Sequence, residues 1–70
     1  MFDPAARAQA AQLDQLEPGW AIWYGVYDRL FYAISRTGMA APSCVAAPSP
    51  DALHALMREA EAAARIGRVA

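Results

Sequence analysis

Seventy residues with six arginines, no lysine, seven acids and a formal net charge of −1 allow one small domain, spanning 1–70, and supply no basic stripe for nucleic acid. A chain this short buries only about 60% of the surface its unfolded form exposes, and natural domains of this size lean on disulfides, a metal or oligomerisation. Cys44 stands alone, and with His54 it makes two of the four ligands a structural zinc needs, so oligomerisation is the expected support.

The first element is a helix expected near residues 4–16. Asp3 can accept from the orphan N–H groups of a first turn, and Pro4 suits the first helical position. Ala, Arg, Gln and Leu follow, all good helix formers. Ala6, Ala10, Leu13 and Leu16 keep helical spacing, with Leu13 and Leu16 as the expected anchors, before Pro18-Gly19 turns the chain.

Trp20 to Ser35 reads as a β-hairpin, being rich in aromatic and β-branched residues. Its turn lies around Tyr27-Asp28-Arg29, where an Asp can bond its own following backbone. Two registers are open. A two-residue turn at Asp28-Arg29 pairs Tyr27 with Leu30 and Trp23 with Ile34. A four-residue loop from Val26 to Arg29 pairs Gly25 with Leu30 and Tyr24 with Phe31. Side chains alternate faces, so the choice redistributes the second strand between core and solvent. Trp20, Ile22 and Tyr24 are expected to face the helices.

Cys44-Val45-Ala46 is the candidate third strand, which Pro42 and Pro48 confine to an edge or to few residues. Ser49-Pro50-Asp51 then places a capping hydroxyl, a first-turn proline and an acid matched to the helix dipole in order. Leu53, Leu56, Met57, Ala60 and Ala64 recur as one apolar stripe, and Gly67 is the expected C-cap of a helix over 50–66. The order α-β-β-β-α predicts an α+β fold, with a three-stranded antiparallel sheet packed by an N-terminal and a C-terminal helix. The longest apolar run, Trp20 to Tyr27, is far below the ~18 residues of a membrane-spanning helix. Neither a basic n-region nor a long apolar h-region opens the chain, and with a lone thiol this points to a cytoplasmic protein with no membrane partner.

No residue pattern carries chemistry. His54 has only Asp51 and Arg58 at helical spacing, and reads as a boundary histidine beside the apolar stripe. Cys44 sits among apolar neighbours and reads as a buried, inert thiol. Asp14 and Glu17 share a face at the end of the first helix and read as solvated charges. The four glycines are isolated, so no phosphate-cradling loop exists. The chain is therefore expected to be no enzyme, with no catalytic residue, cofactor or metal.

The aromatic block does carry functional content. Eighteen of the apolar residues are alanines, and the large ones crowd into positions 20–34. A sheet covered by helices on one side needs a single apolar face, yet both alternating sets of this hairpin are apolar. The bland expectation is that the helices split across both faces. The sharper one is an exposed aromatic patch, with Trp23, Tyr24, Tyr27 and Tyr32 as partner-binding residues. Trp20-Ala21-Ile22-Trp23-Tyr24-Gly25, Leu30 to Arg36 and Ser49-Pro50-Asp51-Ala52-Leu53 resemble a group of small uncharacterised actinobacterial proteins with a Trp-rich hairpin and a capped C-terminal helix. That resemblance implies no activity.

Ser43-Cys44-Val45 and the segment from Ser49 to Ala60 are also similar to HicB-type antitoxins, which share the order of hairpin, third strand and helix. Here no Gly precedes Cys44, a helix comes first, and no DNA-binding tail follows. The resemblance implies toxin binding. The leading expectation is a non-catalytic interaction module, self-associating as a homodimer or capturing another protein through the hairpin. An antitoxin-like regulator and a small-molecule-binding domain with a pocket of Tyr24, Trp23 and His54 are the alternatives.

Overall fold

The computed structural model describes residues 4–69. Helix α1 (Pro4–Leu16) is followed by strands β1 (Trp20–Gly25), β2 (Leu30–Ser35) and β3 (Cys44–Ala47), and then by helix α2 (Pro50–Val69). The strands form one antiparallel sheet in the order β1-β2-β3. This is the α-β-β-β-α arrangement that the sequence predicts. Asp3, the proposed cap of α1, lies outside the described residues.

The hairpin adopts the longer of the two registers. Gly25 faces Leu30, Tyr24 faces Phe31 and Trp23 faces Tyr32. Arg29 N–H donates to Gly25 O at 2.8 Å, and Arg29 takes a left-handed φ of 59°, which closes the four-residue loop. The two registers differ by two residues, so, contrary to the expectation, the choice does not move β2 between core and solvent: either one turns Phe31 and Ala33 to the side of Trp20 and Ile22, and Tyr32 and Ile34 to the side of Trp23. What the register decides is which side chains stand opposite each other across the strands.

Both helices lie against the same face. Trp20 and Ile22 from β1, Phe31 and Ala33 from β2, and Val45 and Ala47 from β3 are buried with Ala6 and Ala10 of α1 and with Leu53, Met57 and Ala60 of α2. Tyr24, Leu13 and Leu56 pack around this cluster. Alanine at Ala6 and Ala10 lets α1 approach β1 closely, which corrects the expectation that leucines anchor it. Leu13 is half-buried, but Leu16 is 69% exposed, because α1 ends there and the chain turns away over Glu17.

Helix α2 begins as its sequence prescribes. Ser49 Oγ accepts from Ala52 N–H at 3.2 Å, and Ser49 O accepts from Leu53 N–H at 2.9 Å. At the other end the helix continues through Gly67 to Val69, so Gly67 is not its cap. A glycine inside a helix costs about 1 kcal/mol without stopping it.

Polar groups clamp the helices to the sheet. Trp20 Nε1 donates to Glu61 Oε2 at 2.8 Å, satisfying the one polar atom of a buried indole. Glu61 Oε2 also lies 3.3 Å from Arg58 Nη2, and Arg58 Nη2 reaches Glu17 Oε1 at 2.5 Å. Asp14 Oδ1 accepts from Ile22 N–H at 2.9 Å and sits 3.7 Å from Arg36 Nη2. Asp14 and Glu17 are thus structural acceptors rather than solvated charges, each reaching a partner on another element.

Candidate functional site

The face of the sheet turned away from the helices carries no covering element among the described residues. By strand alternation it is built from Ala21, Trp23 and Gly25 of β1, Leu30, Tyr32 and Ile34 of β2, and Cys44 and Ala46 of β3. None of these residues is Asp, Glu, Arg or His. Trp23 and Ile34 are each 42% exposed on this face.

Trp23 and Tyr32 are directly opposed across β1 and β2, and their rings stack with centroids 5.4 Å apart and planes 10° from parallel. Tyr32 lies across Gly25, where a Cβ would come within 2.8 Å of its ring. Its hydroxyl donates to Asp28 Oδ2 in the turn. That bond, with desolvation and the negative charge of Asp28, holds the Tyr32 phenol above the ordinary tyrosine pKa of 10.0. The stack, the open side of Gly25 and the turn carboxylate together hold a flat aromatic plate.

The four expected partner-binding residues divide. Trp23 and Tyr32 form the plate on the outer face. Tyr27 projects from the tip of the turn, 99% exposed, at the margin of that face. Tyr24 turns to the helix side, where its ring packs against Phe31 at 4.8 Å and the buried cluster. The uncovered face also holds two residues the sequence reading passed over, Leu30 and Ile34. Their signal is period-two alternation, which leaves both on the outer face in either register.

Cys44 is exposed on this face, not buried as its apolar neighbours suggest. Those neighbours, Val45 and Ala47, point to the opposite side of the strand, and alternation leaves the thiol outside. His54 is exposed on α2, with Nε2 3.6 Å from Glu17 Oε2. Trp23, Tyr24 and His54 therefore do not converge on one pocket. A cleft of about 300 Å³ opens elsewhere, between the loop after β2 and the later turns of α2, lined by Trp20, Met39, Ala64 and Arg65 among others. Its carboxylate, Glu61, is already held by Trp20 and Arg58. Among the described residues no group of three or more His, Cys, Asp or Glu is placed to hold a metal ion, and no helix is long and apolar enough to cross a membrane.

The edges of the sheet differ from its face. Trp20 and Ile22 direct their N–H groups outward from β1, and these are taken by Glu17 O at 3.0 Å and by Asp14 Oδ1. On the other side, β3 has four residues and is bracketed by Pro42 and Pro48, which limits any strand added there. The chain matches no family model, no curated protein and no solved structure, so the two resemblances rest on the quoted residues alone.

Proposed function

We propose that this chain is a non-catalytic protein–protein interaction module whose uncovered sheet face seats a second copy of itself. The observation that carries the reading is the side-chain inventory of that face: aromatic and aliphatic groups, a thiol, and no charge. An uncharged flat face is complemented by another uncharged flat face, and a two-fold axis between copies supplies one without further design. The plate of Trp23 and Tyr32 is the anchor, since tryptophan and tyrosine bury large area at little conformational cost.

Size sets the strength. Three strands of up to six residues give a footprint of roughly 14 by 20 Å, and two such faces with their relief bury on the order of 1,000 Å² in total. That is the low end for specific interfaces, so the dimer exchanges with monomer as concentration changes. Two sheets meeting this way stack about 10 Å apart with side chains interdigitated. Burial of Trp23 and Ile34 from both copies enlarges a core whose own helices contribute mainly alanine.

The test is truncation of the plate. Trp23→Ala and Tyr32→Ala each act in both copies and should cost the dimer about 2 kcal/mol in total, a rise in its Kd of roughly thirtyfold. Unchanged elution and unchanged concentration dependence in both variants, with native circular dichroism, would end this reading.

A further inference from the structure

We infer that Asp14 determines which surface of the sheet is open to a partner, by occupying the hydrogen-bonding position on β1 that an added strand would need. The inference rests on the docking reading above only for the number of copies from which assembly starts.

An antiparallel strand adding to β1 must accept from and donate to its outward backbone groups, which alternate along the strand. Ile34, Tyr32 and Leu30 of β2 already engage the other set, at Ala21, Trp23 and Gly25, as the register and the bond from Arg36 N–H to Gly19 O require. The outward set is therefore Trp20, Ile22 and Tyr24. Glu17 O closes the first position as part of the turn between α1 and β1. The middle position is closed by a side chain alone, Asp14 Oδ1 on Ile22 N–H at 2.9 Å.

The backbone around that bond leaves space. A groove of about 370 Å³ lies between α1 and β1, lined by Arg7, Asp14 and Gln15 of α1 among others and by Ile22, Trp23 and Tyr24 of the strand. Without the carboxylate, Ile22 and Tyr24 would present two consecutive outward rungs beside an exposed tryptophan. Such an edge invites strand addition by another chain. Natural sheets suppress it by blocking the edge, and Asp14 does so by consuming the donor. Arg36, 3.7 Å from Asp14 Oδ1, holds the carboxylate in place. With β1 closed by Asp14 and β3 short between prolines, only the face remains, and a face-to-face pair has no further surface of the same kind to offer. Assembly therefore stops at two copies.

Mass measured by sedimentation across a wide concentration range, on the full chain, tests this with three proteins. Wild type should reach two copies and stop. Asp14→Asn keeps an acceptor oxygen at the same place and should behave as wild type. Asp14→Ala, with native helix content by circular dichroism, should pass two copies and continue to grow. A folded Asp14→Ala protein that never exceeds the wild-type mass overturns the inference. Amide exchange on wild type is a second readout that needs no variant, with Ile22 N–H expected to exchange at least tenfold more slowly than the outward N–H of Tyr24. Equal rates at the two amides also overturn it. If wild type is a monomer throughout, the docking reading fails, while growth of Asp14→Ala beyond one copy still supports the role of Asp14.

Discussion

Trp23 and Tyr32 lie opposite each other on adjacent strands with their rings stacked 5.4 Å apart, on the side of the sheet that neither helix covers. The position of Tyr32 depends on the absence of a side chain at Gly25, since a Cβ there would come within 2.8 Å of the ring. Gly25→Ala should therefore displace Tyr32 and break the stack while leaving the fold intact. The expected result is loss of the near-ultraviolet aromatic dichroism with a stability change of about 1 kcal/mol, because a partly exposed ring can rotate away where a core residue cannot. A preserved aromatic signal would show that the glycine does not set the plate.

The bond from Tyr32 to Asp28 gives the plate a pH dependence. The folded state holds this phenol above the ordinary value of 10.0, mainly through the hydrogen bond to Asp28. The folded form therefore retains the proton longer than the unfolded chain does. Its contribution to stability is complete below the unfolded value and is lost as pH rises through the higher folded one. An alkaline titration followed by phenolate absorbance should show a late component. Tyr32→Phe should remove that component, and Asp28→Asn should move it to lower pH.

The core is small enough for one residue to decide folding. Leu53 and Met57 of α2 are fully buried, in the cluster that also holds Trp20, Phe31, Ala33 and Val45 of the sheet. Leu53→Ala should cost about 2–5 kcal/mol through lost burial and the cavity left behind. A single core of this size supplies about 3–5 kcal/mol of net stability. Thermal or urea unfolding should find this variant partly or wholly unfolded at 25 °C. A cost below 1 kcal/mol would mean that the sheet and α2 collapse around the gap.

Much of this architecture is legible in the residues themselves, and the parts that are not have identifiable causes. Ser49-Pro50-Asp51 fixes the start of α2 because capping is a local interaction, and the bonds from Ser49 are present as expected. The hairpin's limits are equally local. Its register is not, because Asp28-Arg29 is compatible with either loop length. Both keep Phe31 and Ala33 on the helix side, so alternation does not choose between them, and the four-residue loop is visible only in the left-handed Arg29 and its bond to Gly25 O. Cys44 is exposed although Val45 beside it is buried, because successive side chains of a strand point to opposite faces.

Asp14 and Glu17 were equally opaque. Nothing in the spacing of a helix reveals that its last acids reach Ile22 N–H and Arg58, both contributed by other elements. Gly67 shows the limit of a stop signal, because the hydrogen-bonded helix runs through it to Val69. Of the candidate site, the aromatic excess was visible in composition. Its division into a plate of Trp23 and Tyr32, a tip at Tyr27 and an inward Tyr24 required the fold.

Sedimentation equilibrium of the unmodified protein over a dilution series tests the docking role most directly. The uncovered face predicts a mass that climbs from the 7.5 kDa of one chain toward twice that value and levels there. A mass that stays at 7.5 kDa up to about 1 mM, where even a Kd in the millimolar range would register, contradicts it.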